Sequence, residues 1–149
     1  MRGDLQLVTT EEKYTATLVV RTARMMLALA AAFDLDIIQL DAVNAFLNSI
    51  LTDEVYVELP PGMFPRTTKM RCWRLLRALY GLRKSPRLWQ QEATRVLGQL
   101  GFKTVYEDVC LMVSDDGILV IFYVDDILIF SPKSIRQRAA DITAQLADH

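Results

Sequence analysis

Two adjacent aspartates, Asp125 and Asp126, stand between two strongly apolar segments in the sequence YVDDILIF, residues 123–130. The β-branched and aromatic residues on both sides predict two strands joined by a short turn. Like charges in apolar surroundings are tolerated when a cation lies on them. An exposed hairpin tip would also accept them, since aspartate is a common turn residue. The pattern therefore predicts a hairpin and leaves two interpretations of its tip open, a cation site and a plain turn.

A third carboxylate favours the cation site. Asp41 ends the apolar, β-branched segment 36–41 (DIIQLD), which predicts a buried strand. An aspartate at a strand end is well placed to meet the tip of a neighbouring hairpin. Three such carboxylates match the oxygen ligands of Mg²⁺, and two Mg²⁺ ions can clamp the reacting oxygens of a phosphoryl transfer. Taken alone, Asp41 is equally compatible with a helix cap or a turn, so convergence of the three carboxylates stays open.

The remaining patterns predict an α+β domain. Helices are expected at 22–33, with Thr22 as the cap, at 85–100 and at 134–146. Further strands are expected at 55–59, 70–76, 109–113, 118–124 and 127–130. The expected core-facing stripes are Met25, Met26, Leu29 and Phe33 in the first helix, and Trp89, Ala93, Val96, Leu97 and Leu100 in the second. Ser85 is expected to cap that second helix, with Pro86 at its first position. The order of elements predicts an antiparallel sheet with helices packed on one face.

Basic residues are concentrated in one stretch of a chain that is otherwise acidic. The chain has 17 Lys and Arg against 18 Asp and Glu. Residues 59–91 contain no acid and eight bases, namely Arg66, Lys69, Arg71, Arg74, Arg77, Arg83, Lys84 and Arg87. This asymmetry is typical of a surface that faces a polyanion, although an ordinary solvated face would look the same.

Composition excludes several classes of protein. A length of 149 residues with 52% hydrophobic residues indicates one folded domain rather than a disordered chain. The longest apolar run, residues 25–33, is far shorter than the about 20 residues of a membrane span. The two cysteines, Cys72 and Cys110, form no CxxC pair, so neither a disulfide framework nor a zinc site is expected. The single histidine, His149, leaves no Ser–His–Asp set. We therefore expect an intracellular protein without a membrane segment.

Three motifs in register make the sequence resemble the reverse transcriptase of copia-type LTR retrotransposons, with fungal members the most similar. They are LDAVNAF at 40–46, LYGLRKSP at 79–86 and YVDD at 123–126. The resemblance covers residues 14–149 and leaves 1–13 as an unmatched leader. It implies a palm-like antiparallel sheet with helices on one face, with incomplete fingers and no thumb.

The resemblance also implies a role for individual residues. Asp41, Asp125 and Asp126 match the catalytic aspartates that hold two Mg²⁺ ions, for which Mn²⁺ can substitute. The nucleotide-binding positions are Phe46, Tyr80 and Gly81. Contacts to primer and template are implied for Tyr123, Val124, Arg83, Lys84, Ser85, Pro86 and Arg87. From the residues alone, Phe46 is equally a core aromatic, Trp89 is a core residue, and the three basic residues are equally surface charges.

The implied activity is RNA-directed DNA polymerisation, with an RNA template, a DNA primer and dNTPs as partners, in an element whose life cycle includes DNA integration. Because fingers and thumb are outside the resemblance, we expect a truncated chain that is inactive alone and forms a homo-oligomer through uncovered apolar surface. The expected location is a cytoplasmic element particle or the nucleus. Two alternatives remain open, a non-catalytic nucleic-acid-binding remnant and a scaffold without activity.

Overall fold

The computed structural model describes residues 20–58, 62 and 72–147. In these ranges the elements are α1 Val20–Ala32, β1 Asp36–Asp41, β2 Tyr56–Glu58, β3 Cys72–Arg74, α2 Ser85–Gln99, β4 Phe102–Val105, β5 Asp108–Ser114, β6 Leu119–Tyr123, β7 Asp126–Ser131 and α3 Arg136–Ala147. Short 3₁₀ helices lie at Ala45–Asn48 and Lys133–Ile135. The leader expected at 1–13 lies outside the described residues, as do Arg66, Lys69 and Arg71.

The predicted α+β class is confirmed. Five strands form one antiparallel sheet in the order β1-β7-β6-β5-β4, and β2 pairs with β3 in a separate two-stranded sheet. Strands β4 to β7 form a meander in which each strand pairs with the next. Strand β1 then pairs with β7, so the first and the last strands of the large sheet are neighbours. This long-range pairing brings the 40–46 and 123–126 motifs to the same end of the sheet.

The large sheet is covered on both faces, because alternate residues of a strand point to opposite sides. On one face, Ile127 and Phe122 pack with Trp89 of α2 and Ile142 of α3. On the other face, Ile121, Phe130 and Leu111 pack with residues of α1. The expectation that the helices lie on one face is therefore wrong for α1. The reason is that β5, β6 and β7 carry apolar residues at consecutive positions, so that both of their faces need cover.

The buried stripe of α1 differs from the predicted one. Met26 and Ala30 are the buried residues, whereas Met25 and Phe33 are 48% and 70% exposed. A methionine and a small alanine one turn apart let the helix lie close against Phe130. Thr22 lies inside α1 rather than at its cap. None of the described helices is long and apolar enough to cross a membrane.

Strand β4 was not predicted. Gly101, with a φ of 93°, ends the run of α2 as expected for a C-terminal glycine. The chain then enters β4 at once, and Phe102 is its single buried residue. A four-residue strand with one buried residue has too little periodicity to be recognised in the sequence, and it forms because β5 offers a partner.

Candidate active site

The end of β1 and the turn between β6 and β7 lie together at one end of the large sheet. Asp41, the last residue of β1, is the register partner of Asp126, the first residue of β7. Tyr123 is the partner of Asp126 on β6, so Val124 and Asp125 alone form the turn. Residues opposite each other in an antiparallel pair share a face. Asp41, Asp126 and Tyr123 therefore lie side by side on one face of the sheet.

A backbone hydrogen bond joins the turn to β1. The N–H of Ala42 donates to the carbonyl of Asp125 at 2.7 Å, one residue beyond the last register pair. Asp41 and Asp126 are exposed, and Asp125 is half-buried. The structure thus brings all three sequence-predicted aspartates to one end of the sheet, with two of them directly opposite each other.

The side chain of Asp126 also contacts a residue that the sequence analysis did not single out. The Nε2 of Gln39 donates to Oδ1 of Asp126 at 3.2 Å. Gln39 precedes Asp41 by two positions on β1 and so lies on the same face. This spacing could have identified Gln39 in the sequence, since a polar residue two positions before a site aspartate on a strand lies on the same face.

The three aspartates provide the donor chemistry of a divalent cation site without forming a closed set of ligands. Carboxylate oxygens are the ligands that Mg²⁺ prefers, and two of them face each other across β1 and β7. Among the residues that the structure describes, no three Asp, Glu, His or Cys are grouped so that they could hold a metal ion. The arrangement therefore fits a cation between two strands, with Asp126 turned along β1 towards Gln39.

The turn has a backbone conformation that its sequence does not favour. Val124 has a φ of 54°, in the left-handed region where a β-branched residue is rare and costs roughly 1–2 kcal/mol. Its carbonyl accepts a hydrogen bond from Nε1 of Trp89, which lies on α2. Trp89 is buried in the core as predicted, with its one polar atom directed at the turn.

Phe46 and Tyr80, two of the predicted nucleotide-binding residues, form an aromatic pair. Their ring centroids are 4.4 Å apart and the ring planes are inclined by 50°. Phe46 lies in the 3₁₀ helix Ala45–Asn48 and is 7% exposed, as the core-aromatic alternative expects. Tyr80 is 45% exposed. The next residue, Gly81, has a φ of 93°, which glycine adopts without steric cost. The Tyr80 ring therefore covers Phe46 and is the solvent-exposed ring of the pair.

Ser85 has a different role from the one that the sequence suggested. It is the first residue of α2 and Lys84 occupies the cap position, so Ser85 is not the cap. Its hydroxyl is fully buried, donates to the carbonyl of Leu79 at 2.6 Å and accepts from the Leu79 N–H at 3.2 Å. This side chain therefore fixes the loop before α2. Its contact with primer or template stays a prediction. Pro86 is then the second residue of α2, one position later than predicted.

The basic residues at the start of α2 are partly engaged with the protein itself. Arg83 is exposed, whereas Lys84 and Arg87 are half-buried. The Nζ of Lys84 lies 2.6 Å from Oδ2 of Asp53, and the lysine side chain is 17% exposed. Lys84 therefore links the start of α2 to the loop before β2. Its contact with a phosphate stays a prediction.

In the folded chain, acidic residues from outside the stretch 59–91 lie next to some of its basic residues. Arg74 of β3 lies 3.6 Å from Glu54, which comes from the same loop as Asp53. Acids from just before the basic stretch therefore fold back onto it. The charge asymmetry along the sequence overstates the positive charge of the surface, because two bases acquire acidic neighbours.

A cleft of about 660 Å³ opens next to Asp41 on the face that packs with α2 and α3. Leu40 and Ile127 of the sheet, Trp89 and Leu97 of α2, and Leu146 of α3 are among its lining residues. The cleft is mostly apolar, and the ring of Trp89 borders it while the indole N–H contacts the turn.

Comparison with known proteins identifies the family of the chain. The chain belongs to the family described as reverse transcriptase (RNA-dependent DNA polymerase), whose model matches residues 5–149. The match includes part of the segment expected to be an unmatched leader. No solved structure matches the chain.

Within that family the chain is of the copia type, as its relatives indicate. It is 38% identical to a retrovirus-related Pol polyprotein from transposon RE2 of Arabidopsis thaliana, over 79% of the chain and 8% of the relative. It is 32% identical to the corresponding polyprotein from transposon TNT 1-94 of Nicotiana tabacum, over 80% of the chain and 9% of the relative. A transposon Ty5-1 protein of Saccharomyces cerevisiae is 33% identical over 63% of the chain and 32% of its own length. The chain thus spans less than a tenth of the plant polyproteins, and its closeness to fungal members stays a prediction.

Proposed function

We propose that the chain carries the catalytic centre of an RNA-directed DNA polymerase of a copia-type element, at the end of β1 and the β6–β7 turn. The observation that supports this is the register pair of Asp41 and Asp126, with Asp125 in the adjacent β6–β7 turn, on an exposed part of the sheet. Two separate motifs of the sequence supply these residues, and only the pairing of β1 with β7 unites them.

The reaction is nucleotidyl transfer from a dNTP to the 3′-hydroxyl of a DNA primer on an RNA template. Asp41, Asp125 and Asp126 would hold two Mg²⁺ ions, or Mn²⁺, which when bound lower the pKa of the primer hydroxyl and neutralise the triphosphate. The backbone bond from Ala42 to Asp125 holds the main chain next to Asp41 against that of Asp125. The protein itself provides no nucleophile, so its task is placement and charge.

Aromatic side chains supply the remaining contacts of the proposed site. Tyr123 is 48% exposed and lies beside Asp126 on the same face, so its ring can receive the primer end. Tyr80 offers an exposed ring backed by Phe46, on which a nucleotide can pack. Arg83 is exposed just before α2, where its side chain can contact a phosphate.

A second candidate function is non-catalytic binding of nucleic acid. It is favoured by the finding that the described carboxylates do not form a three-ligand group. Basic residues at the start of α2 would then bind phosphates without chemistry.

One pair of measurements distinguishes these functions. Single-nucleotide incorporation is measured on a labelled RNA–DNA template–primer with Mg²⁺ and with Mn²⁺, for the unmodified chain, Asp41→Asn and Asp115→Asn. If the chain is a polymerase, we expect the unmodified chain to incorporate nucleotide, however slowly. Asp41→Asn should abolish this incorporation, and Asp115→Asn should leave it unchanged. Binding of the same duplex is measured at two salt concentrations. Salt-dependent binding without incorporation would favour the second candidate, and the absence of both would leave a scaffold.

A further inference from the structure

We infer that Trp89 is a positioning residue for the aspartate turn, through the hydrogen bond from its indole N–H to the carbonyl of Val124. Trp89 lies 35 positions earlier in the chain, on α2, and its ring is buried in the main core. The effect on catalysis rests on the proposed function, whereas the anchoring of the turn does not.

The turn needs an anchor because its own sequence does not favour its conformation. Val124 occupies the left-handed region with a β-branched side chain. Only Val124 and Asp125 separate the closing pair of Tyr123 and Asp126. A contact from outside the hairpin, made to the carbonyl of the unfavourable residue, selects this conformation over the alternatives.

Two successive carbonyls of the turn are held by two different elements. The Val124 carbonyl accepts from Trp89 of α2, and the Asp125 carbonyl accepts from Ala42, next to Asp41. The first bond relates the turn to the helix, and the second relates it to β1. Together they hold the backbone of the turn that carries Asp125 and Asp126 in place relative to Asp41.

The chemistry of the indole explains why this position carries tryptophan. The indole N–H is a donor only, and a buried donor needs an acceptor. A phenylalanine or leucine would fill much of the same space beside Ile127 and Phe122 but would leave the Val124 carbonyl without this bond. A residue that serves packing alone would not direct its single polar atom at the turn.

The inference is tested with Trp89→Phe, which keeps an aromatic ring and removes the donor. Amide hydrogen exchange is followed for Asp126 and Ala42, with Trp73→Phe on β3 as the matched control. We expect exchange of these two amides to become about tenfold faster in Trp89→Phe, the loss of one hydrogen bond, and to stay unchanged in the control. In the unmodified chain, the indole N–H resonance of Trp89 should exchange slowly. Equal exchange of the two amides in the unmodified chain and in Trp89→Phe would overturn the inference.

A second variant covers the case in which Trp89→Phe does not fold. Incorporation of 3-benzothienylalanine at position 89, in the Trp73→Phe background, keeps the shape of the bicyclic ring and replaces the N–H by sulfur. The same acceleration of exchange at the turn is expected, and unchanged exchange would overturn the inference.

The catalytic consequence is measured separately. If the chain incorporates nucleotide, Trp89→Phe should lower kcat by about tenfold and leave the KM for dNTP unchanged, because the aspartates are misplaced while the nucleotide surface is intact. An unchanged kcat would refute the positioning of the aspartates. If the unmodified chain incorporates none, the proposed function fails while the exchange result still decides the anchoring of the turn.

Discussion

Asp41 is the register partner of Asp126 at the end of the β1–β7 ladder. Like charges directly opposite each other on one face of a sheet are destabilising, and every other pair of this ladder avoids them. The N–H donated by Gln39 to Asp126 offsets only part of the repulsion, because it is a neutral amide. The end of the ladder is therefore suited to bind a cation.

Asp126→Asn should stabilise the metal-free protein and abolish its response to metal. The change removes one of two opposed charges, worth about 0.2–1 kcal/mol in a cross-strand pair, while the Asn side-chain oxygen can still accept from Gln39. Mn²⁺ should raise the melting temperature of the unmodified chain by mass action and leave Asp126→Asn unchanged, as measured by thermal melts with EDTA and with Mn²⁺. The control is Asp115→Asn, a turn acid paired with Lys103 at 2.6 Å. An equal metal response of the two variants would contradict a cation site at this pair.

Ser85→Ala and Ser131→Ala should change the free energy of unfolding by different amounts, although both serines are almost fully buried. Removing the Ser85 hydroxyl leaves the N–H and carbonyl of Leu79 without their side-chain partner, so we expect a loss of about 1–3 kcal/mol. The Ser131 hydroxyl has no hydrogen-bond partner among the described residues, so its removal should be neutral or stabilising. Urea denaturation measures both free energies of unfolding. Equal losses would show that the Ser85–Leu79 bonds contribute nothing.

The two thiols should differ sharply in reactivity. Burial, with a smaller contribution from the charge of Asp108, raises the pKa of the Cys110 thiol to about 11, whereas Cys72 is exposed on β3. Because the thiolate is the reactive form, a disulfide reagent at pH 8 should modify one thiol rapidly and the second only on unfolding. Cys72→Ser should remove the fast phase. Rapid modification of both thiols in the folded protein would contradict the placement of Cys110.

The ion pair between the start of β1 and α3 should make stability depend on pH in the acid range. Arg136 donates to Asp36 at 2.7 and 3.1 Å, and this bond lowers the pKa of the Asp36 carboxyl from its ordinary value. A lowered pKa in the folded state contributes stability above the unfolded value, and that contribution is lost as pH falls through the folded value. Asp36→Asn should therefore flatten the decline of melting temperature below about pH 4. Asp141→Asn on α3 is the control, and an unchanged acid decline in Asp36→Asn would contradict the prediction.

A homo-oligomer remains our expectation for the isolated chain. In the described sheet β1 and β4 are edge strands, and Ile37 on β1 is 46% exposed. Open edges with apolar side chains favour association, and a lysine on an edge strand opposes it. Light scattering should show a species larger than 17.0 kDa that Ile37→Lys shifts towards the monomer. A monomer of the unmodified chain at tens of micromolar would refute this.

The sequence predicted well those elements that a local hydrophobic pattern specifies. The bounds of β1 agree at both ends, and the β6–β7 hairpin lies around Asp125 and Asp126 as expected. The stripe of α2 is buried at Trp89, Ala93 and Leu97. Period-two and period-3.6 patterns indicate such elements, because burial of one face places apolar residues at a regular spacing along the sequence. The family likewise followed from motifs that can be read in one pass along the chain.

Tertiary structure alone decided which partners those elements and their polar groups acquired. No local pattern indicates that α1 covers the face of the sheet opposite to α2, or that the Ser85 hydroxyl binds Leu79 rather than capping its own helix. The bonds from Gln39 to Asp126 and from Trp89 to Val124 join positions 87 and 35 apart in sequence. The physical reason is that a hydrogen bond is specified by the position of both partners. The sequence supplies the donor and acceptor residues. Only the pairing of β1 with β7 and the packing of α2 against the sheet bring them within bonding distance.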